Sequence, residues 1–324
     1  MKSCWIKSAG AARVLEFRDV PAPVPGRGQL LLRVHAASFN RGDLLGLIAR
    51  HSASEARPAG VDAAGEVIAI GDEAAGFKIG DRVMVRAKGT FAEYAIADAA
   101  LSAVIPPCLS WEQAAAVPIA YVTAYEALLQ FGHLTAGQWL LIAGASSGVG
   151  VAALQIALGI GARTIGISSS AEKIARLKVL GLDVGIKARG HGFSGAARDA
   201  TGDAGVDLAV NLVGGTAFKD CQDALCNHGR LAVVGYVDGV MTAEIDLGAV
   251  HSKRLCIFGL SNAALTLDGR AQAQRGFVRE VLPMLADGRI VPLVDKVFAF
   301  EDVATAKAYV ESDKLLGKVV IRMN

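Results

Sequence analysis

The sequence predicts an α/β protein in which a doubly wound parallel sheet is joined to a small β-barrel. Three features of the chain carry this prediction. Short strands and turns fill the first third, strands and helices alternate from about residue 114, and a glycine-rich turn links a strand to a helix within residues 139–157. Alternating strands and helices are typical of a parallel sheet with helices on both faces.

The first third of the chain predicts the barrel. Its short apolar runs are separated by turn-forming proline and glycine, as at residues 21–26. Runs with such boundaries are typical of strands in an all-β domain. We expect these strands at residues 30–34, 65–70, 82–85 and 91–95.

The remainder of the chain predicts the parallel sheet and a return to the barrel. Six apolar runs alternate with helical segments, near Leu140, Thr164 and Val184 and at residues 206–210, 231–234 and 255–258. The last part predicts an amphipathic helix at 271–286, short strands at 296–298 and 318–321, and a helix between them. We therefore expect residues 1–118 and 263–324 to form one domain and residues 119–262 the other.

The turn at residues 144–150 has the composition of a pyrophosphate-binding loop. It follows the apolar run 140–143 and precedes a helix with an apolar stripe. Small residues let the backbone approach a diphosphate, and the new helix directs unpaired N–H groups and the positive end of its dipole at that charge. Ala145, Ser147 and Gly150 stand where the simple fingerprint has glycine. We expect pyrophosphate contacts from Ser146, Ser147, Gly148 and Val149.

The end of the next predicted strand favours NADPH over NADH. An NAD-preferring site places an acidic residue about 20 residues past the glycines, whereas a 2′-phosphate requires hydrogen-bond donors and positive charge. Here the strand ends at Ser168 and Ser169, with Lys173 just beyond. We interpret Glu172 as part of the first turn of the following helix, where the helix dipole stabilises a carboxylate. Lys187 is either a second cation for the phosphate or a solvated surface lysine.

Further candidate cofactor contacts lie where the later strands end, because the carboxyl ends of parallel strands meet at one edge of the sheet. They follow the fourth, fifth and sixth strands, and one more precedes the glycine turn. These residues are Asn211, Leu212, Val213, Gly235, Tyr236, Phe258, Gly259, Ser261 and Thr123.

Composition restricts the class of protein. The 324 residues are 52% hydrophobic and 20% charged, which excludes a disordered chain and suggests two domains. The net charge of +2, without a basic stripe, argues against a nucleic-acid partner. The sequence has neither a signal core nor a membrane-length apolar run, so we expect a soluble, cytoplasmic protein without a membrane partner. The five cysteines form no close cluster of the kind that zinc sites use.

A series of motifs, in a characteristic order and spacing, covers nearly the whole chain. It comprises Phe-Asn-Arg-Gly-Asp at 39–43, residues 60–71 and 77–83, Gly-Thr-Phe-Ala-Glu-Tyr at 89–94, residues 115–125, 144–150 and 229–235, and Gly-Lys-Val-Val-Ile at 317–321. In these motifs the chain resembles the medium-chain dehydrogenase/reductase superfamily and, within it, the zinc-independent, zeta-crystallin-like quinone oxidoreductases. The resemblance implies a chaperonin-10-like (GroES-like) barrel, split in sequence around a Rossmann domain, with the active site in the cleft between them.

The resemblance also implies a reaction without a metal. Where zinc-dependent members carry ligands, this chain has Asn40, Val61 and Ile119, and the last two cannot coordinate zinc. Without a Lewis acid, the hydride acceptor must be activated by its own conjugation. We therefore expect NADPH to reduce a quinone or an α,β-unsaturated carbonyl.

Three residues are candidates for catalysis. Asn40 either donates its amide to the nicotinamide or the substrate carbonyl, or is a turn asparagine that bonds its own backbone. Asp43 either transfers a proton or braces its loop. Tyr121 either presents its hydroxyl near the nicotinamide or packs in the core.

Two alternatives remain open at the level of function. Residues 44–51 lack the tyrosines that many quinone oxidoreductases carry there, and Arg50 and His51 are the polar residues that could compensate. Residues 39–44 and 89–98 also resemble enoyl reductase domains of polyketide synthases, so an enone, 2-alkenal or enoyl-thioester reductase is the first alternative. The second is an NADPH-binding sensor or structural protein without turnover.

The predicted last strand of the parallel sheet also bears on assembly. The strand at residues 254–259 is apolar and is expected at the edge of the sheet, where a long apolar edge favours pairing with a second copy. We therefore expect a homodimer.

Overall fold

The computed structural model describes residues 1–9, 12–40, 56–261 and 265–323. The chain forms two compact units, one made of Met1–Ala120 and Thr266–Asn324 and the other of Tyr121–Leu265. The first unit is therefore discontinuous in sequence, because the second is inserted between its two parts. No helix in the described ranges is long and apolar enough to cross a membrane.

The strands of the described residues alternate with helices throughout the second unit. They are β1 Lys2–Ala9, β2 Ala12–Asp19, β3 Gln29–Ser38, β4 Arg57–Pro58, β5 Asp62–Ile70, β6 Arg82–Arg86, β7 Tyr94–Asp98, β8 Ser102–Val104, β9 Trp139–Ala143, β10 Arg163–Ser168, β11 Val184–Lys187, β12 Val206–Asn211, β13 Leu225–Val233, β14 Cys256–Gly259, β15 Val294–Ala299 and β16 Lys318–Arg322.

Five of the α-helices in the described residues begin in the same way, with a serine, threonine or aspartate side chain that accepts a backbone N–H of the first turn. The α-helices are Trp111–Ala115, Pro118–Tyr125, Gly148–Gly159, Ala171–Val179, Ser194–Ala200, Gly215–Asp223, Leu247–Lys253, Leu267–Glu280, Leu282–Ala286 and Val303–Glu311, and a π-helical turn spans Glu126–Gln130.

The first unit is built on two sheets. Its larger sheet has the order β15-β16-β3-β5-β6-β8, with β7 also paired to β3, and its smaller sheet has the order β2-β1-β4. Burial along β3 alternates, because Leu30, Leu32 and Val34 enter the core while Arg33 faces outward. Strands β3, β5 and β16 adjoin one another, and this places their ends at the cluster described below.

The second unit is a doubly wound parallel sheet with the order β11-β10-β9-β12-β13-β14. Neighbouring strands are parallel throughout. Every residue of the central strand β9 is buried, because helices cover both faces of such a sheet. The predicted fold class is confirmed, and the strand order reverses beside β9, where the glycine-rich turn begins.

Several predicted boundaries are wrong, among them one strand and one helix. The strand expected at residues 91–95 is β7, which begins three residues later at Tyr94. The helix expected at 271–286 is two helices, Leu267–Glu280 and Leu282–Ala286, joined at Val281. Pro283 lies in the first turn of the second helix, and since proline has no N–H it cannot continue the hydrogen-bond ladder of the first helix.

Candidate active site

The glycine-rich turn has the geometry that an anion-binding loop requires. Gly144 has a φ of 88°, a left-handed conformation that favours glycine. A Cβ on Gly150 would lie 2.5 Å from the carbonyl oxygen of Gly144 and 2.8 Å from the backbone of Ala145. Positions 144 and 150 therefore require glycine, whereas the fingerprint positions 145 and 147 hold alanine and serine.

The helix after the turn presents backbone donors. Ser147 caps it, since its Oγ accepts the N–H of Gly150 at 3.1 Å. The N–H groups of Ser146, Gly148 and Val149 have no hydrogen-bond partner among the described residues. Unpaired N–H groups at a helix N-terminus bind phosphate groups well. The structure thus brings the four predicted pyrophosphate residues together in one turn.

The end of β10 gathers hydroxyl groups and positive charge. Ser170 caps the helix Ala171–Val179 by accepting the N–H of Lys173 at 3.2 Å. The exposed Glu172 lies in the first turn of that helix, as predicted. Ser168 is buried, and its Oγ accepts the N–H of Ser170 at 3.4 Å. Ser169 is half-buried and therefore more accessible than Ser168.

Arg189 is a cation at this edge that the sequence analysis missed. Its Nη2 donates to Ser169 Oγ at 3.5 Å. Arg189 follows β11 by two residues, and the register of β10 and β11 pairs Ser168 with Lys187, so both cations are near the same serines. Lys187 is exposed within the strand. The signal available in the sequence was a basic residue just past the end of a strand, at the edge where cofactors bind.

The loop after β12 is shaped by its own asparagine. Asn211 is fully buried, and its Oδ1 accepts the N–H groups of Val213 and Gly214 at 2.9 and 3.0 Å. Its Nδ2 donates to the carbonyl of Gly214 at 2.9 Å. The side chain thus holds the loop, while the backbone of Leu212 and Val213 lies beside the glycine turn: a Cβ on Gly144 would be 3.3 Å from Leu212 Cβ.

The loops after β13 and β14 lie at the same carboxyl edge. The N–H of Gly235 donates to the carbonyl of Asn211 at 3.3 Å, and Tyr236 is partly exposed. Phe258 contacts Phe131 with ring centroids 6.2 Å apart. Gly259 ends β14, and Ser261 is exposed two residues later.

A second cluster lies in the first unit, around Asn40. Asn40 Nδ2 donates to Asp62 Oδ2 at 2.9 Å, and Lys318 Nζ donates to Asn40 Oδ1 at 2.6 Å. The backbone N–H of Ile119 donates to Asp62 Oδ1 at 3.2 Å. Positions 40 and 119 therefore meet at Asp62, the residue next to Val61. The three positions aligned with metal ligands are thus close together.

Asp62 and Lys318 were not singled out from the sequence. Each opens an apolar strand, β5 and β16 respectively, and both are buried. A charged residue at a buried strand position was the available signal, because such residues are almost never fully buried unless paired. In the described parts of the chain, no group of three or more His, Cys, Asp or Glu side chains is placed to hold a metal ion.

Tyr121 lies inside the second unit, on the helix Pro118–Tyr125. Its hydroxyl donates to Gln155 Oε1 on the helix Gly148–Gly159, and it is 2% exposed. Burial raises the pKa of the Tyr121 phenol. Thr123 is buried on the same helix. Asp43 lies outside the described residues, as do Arg50 and His51.

Two family models match the chain. Residues 26–107 match the alcohol dehydrogenase GroES-like domain, and residues 148–273 match the zinc-binding dehydrogenase domain. The solved structure of mycobacterial Rv1454c complexed with NADPH is similar, with a TM-score of 0.87 and 27% identity over 99% of both chains.

Three further proteins are similar to the chain in sequence. Prostaglandin reductase-3 of Bos taurus is 32% identical over 321 residues, which cover 94% of this chain and 84% of the reductase. The quinone oxidoreductase of Homo sapiens is 28% identical over 327 residues, covering 99% of this chain and 97% of that protein. A phenolphthiocerol/phthiocerol polyketide synthase of Mycobacterium tuberculosis is 31% identical over 318 residues, 98% of this chain. The chain spans only 14% of the length of that synthase.

The parallel sheet, the GroES-like unit and these matches define the class of two-domain dehydrogenases. The chain belongs to the medium-chain dehydrogenase/reductase superfamily.

Proposed function

We propose that this protein is an NADPH-dependent oxidoreductase that transfers hydride to a quinone or another conjugated carbonyl compound without a metal. The observation that carries the proposal is the turn at residues 144–150, three of whose N–H groups have no partner among the described residues. It follows β9, and Ser169, bonded by Arg189, follows the neighbouring strand β10. NADPH is named in the solved structure of a mycobacterial relative, and quinone reduction in the name of a human one.

The residues present fit NADPH. In the proposed complex, the turn from Ser146 to Val149 binds the pyrophosphate through backbone N–H groups. Ser168, Ser169 and Lys173, with Arg189, bind the 2′-phosphate, because charged donors bind an anionic oxygen more strongly than neutral ones do. Lys187 adds positive charge nearby. Thr123, Leu212, Val213, residues 235–236, 258–259 and Ser261 complete the cofactor site, and the buried Asn211 supports it by holding its loop.

The proposed hydride transfer depends on a hydrogen-bond donor for the substrate oxygen. When bound, NADPH supplies the hydride. A carbonyl oxygen on which negative charge develops is stabilised by a preorganised hydrogen-bond donor, and we assign that role to the Asn40 amide. Asp43 remains a candidate for proton transfer or for bracing its loop. Tyr121 remains a candidate for a place near the nicotinamide, although its burial and its bond to Gln155 favour the alternative of core packing. We infer a metal-free reaction because the hydrocarbon side chains of Val61 and Ile119 have no atom that binds a metal.

The proposal extends to domains and assembly. We assign substrate binding to residues 1–118 and 263–324 and dinucleotide binding to residues 119–262. We also propose that the protein is cytoplasmic. We further propose that it is a homodimer, since β14 ends the order of the parallel sheet and presents an edge.

A second candidate is an enone, 2-alkenal or enoyl-thioester reductase. The relatives named prostaglandin reductase-3 and polyketide synthase favour it. Both reactions add hydride to a conjugated carbon, so the same cofactor site and the same amide donor serve either one. The difference lies in the acceptor. The third candidate is an NADPH-binding sensor or structural protein, which would bind NADPH but reduce neither a quinone nor an enone.

The test is NADPH consumption at fixed protein concentration with two acceptors, a simple quinone and a medium-chain enone, with NADH as the cofactor control. Faster quinone reduction supports the proposal, and faster enone reduction supports the second candidate. If fluorescence titration shows NADPH binding but neither acceptor is reduced, both reductase candidates are contradicted. The third candidate, a binding protein without turnover, is then supported. The Asn40→Ala variant is the catalytic control, and we expect its kcat to fall about 10-fold to 100-fold, as expected for loss of one donor to a developing oxyanion.

A further inference from the structure

Asp62 and Lys318 form an ion pair inside the first unit that the proposed hydride transfer does not use directly. Lys318 Nζ lies 3.3 Å from Asp62 Oδ2, and the two side chains are 6% and 0% exposed. Removing two charges from water is expensive, and a buried ion pair is often no more stabilising than apolar residues of similar volume. The pair is therefore poorly explained by stability alone.

Both charges act on one amide. Lys318 donates to Asn40 Oδ1 at 2.6 Å, and Asn40 Nδ2 donates to Asp62 Oδ2 at 2.9 Å. Lysine has no acceptor, and an ionised carboxylate has no donor. If the amide turned over, its NH₂ group would face the ammonium and its oxygen would face the carboxylate. The pair therefore fixes which end of Asn40 donates.

The arrangement leaves one donor of the amide for a ligand. A side-chain NH₂ group has two N–H donors, and Asp62 takes one of them. Within the described residues the second has no partner, and Asn40 is half-buried. An ammonium bound at Oδ1 draws electron density from the amide, so hydrogen bonds in such a chain strengthen one another. The remaining N–H becomes a stronger donor.

We propose that Asp62 and Lys318 are positioning residues, which lock the Asn40 amide so that its second N–H meets the substrate oxygen on which negative charge develops. This inference rests on the proposed function. Ser38 and Ile119 complete the lock: Ser38 Oγ donates to Asp62 Oδ2 at 3.4 Å, and the Ile119 N–H holds the other carboxylate oxygen. These two bonds thus keep the Asp62 carboxylate oriented while it accepts the N–H of Asn40.

The first test is a double-mutant cycle on kcat. Removing one charge would leave the other buried and unpaired, so the variant combines Asp62→Asn with Lys318→Met. We expect kcat to fall about 10-fold with KM for the acceptor nearly unchanged, as for an interaction made only in the transition state. In the Asn40→Ala background, the same pair of substitutions should lower kcat no further. Independent, multiplicative losses would overturn the proposal.

The chain offers a matched control in the same unit. Lys307 and Glu311 form an ion pair at 2.7 Å on the surface of the helix Val303–Glu311. The combination of Lys307→Met and Glu311→Gln removes the same charges outside the site, and we expect kcat to stay within about twofold of the unmodified protein. Thermal unfolding of every variant tests whether it is folded at the assay temperature.

The second test does not depend on turnover. In protein labelled with ¹⁵N at asparagine, the side-chain NH₂ signals of Asn40 are those lost in Asn40→Ala. We expect two widely separated proton resonances, which move toward ordinary positions when Asp62 and Lys318 are both replaced. Unchanged resonances would overturn the proposal that Asp62 and Lys318 position the Asn40 amide. If the Asn40 resonances move when Asp62 and Lys318 are replaced, but the unmodified protein reduces neither acceptor, the positioning role is supported and the proposed reaction is overturned.

Discussion

Single residues in this protein acquire their roles from partners far away in the sequence. Asp62 bonds Ile119, 57 positions later, and Lys318, 256 positions later. The sequence predicted Asn40 either as a donor to the nicotinamide or substrate or as a turn asparagine, whereas the partners of its amide in the structure come from other strands. The sequence marks Asp62 and Lys318 only as charged residues that open apolar strands. No local pattern pairs them with Asn40, because β3, β5 and β16 come together only in the folded sheet.

Arg189 yields a prediction about cofactor preference. The Arg189→Gln variant should raise KM for NADPH about 10-fold to 100-fold, since a hydrogen bond to a charged group is worth about 1.5–3 kcal/mol. Steady-state kinetics with NADPH and NADH measures this, and KM for NADH should hardly change because NADH lacks the 2′-phosphate. Arg198→Gln is the control, since Arg198 bonds Asp203 instead. An equal loss with both cofactors would contradict the assignment.

His35 yields a prediction about pH. Its ring stacks on Trp111 with centroids 4.3 Å apart, and Arg33, Arg82 and Glu66 are the charges that act on it. Burial, assisted by Arg33, lowers the pKa of His35 below its usual value. The folded protein therefore binds this proton less readily than the unfolded chain does. Stability should fall as pH drops through the ordinary histidine range of about 6.5.

The measurement for His35 is urea unfolding at a series of pH values between about 5.5 and 7.5, above the range where carboxylates titrate. The His35→Phe variant keeps an aromatic ring on Trp111 and removes the titrating group. Its free energy of unfolding should depend less on pH than that of the unmodified protein. Identical slopes for the two proteins would show that His35 does not contribute.

At the scale of elements, the glycine turn was the most predictable feature. A strand, a turn and a helix, each clearly indicated by the sequence, appear as β9, residues 144–147 and Gly148–Gly159. Helix boundaries in the last part were less predictable. The break at Val281 depends on a proline inside an amphipathic pattern, and the pattern alone continued across it.

Gly150 yields a prediction about this turn. In Gly150→Ala the new methyl group would meet the backbone at 2.5 Å, so the turn must shift. We expect a loss of about 1–3 kcal/mol in the free energy of unfolding, the usual range for overpacking, and weaker NADPH binding in a fluorescence titration. Gly195→Ala is the control, because a Cβ there would have no atom within 4 Å. Alanine is also the better helix former, so this control should be neutral or stabilising.

The Gly150 prediction has a clear contrary outcome. If Gly150→Ala binds NADPH as tightly as the unmodified protein and unfolds at the same urea concentration, the close approach of the turn and the helix is not required. The proposed pyrophosphate contacts would then need another explanation.

At the scale of the whole molecule, β14 predicts a homodimer. It is the last strand in the order of the parallel sheet, and Cys256 and Gly259 within it are exposed. Light scattering at micromolar concentration should give twice the mass of the chain. The Cys256→Lys variant should shift the protein toward monomer, because lysine on an edge strand opposes pairing. A monomeric unmodified protein would refute the prediction.

The sequence by itself determined the fold class, the two-part organisation and the turn that the cofactor proposal rests on. These follow from local signals: apolar runs of strand length, turn residues between them, and glycine where the backbone must approach itself. The superfamily resemblance was confirmed because its motifs run along nearly the whole chain.

Only the tertiary structure decided which polar side chains act together. In the folded chain Arg189 bonds Ser169, and Asn211 bonds the backbone of its own loop. Lys318 bonds both Asn40 and Asp62. The Tyr121 hydroxyl bonds Gln155. The physical reason is that hydrogen bonds and buried charges depend on distances of a few ångströms between residues that the sequence separates by tens or hundreds of positions.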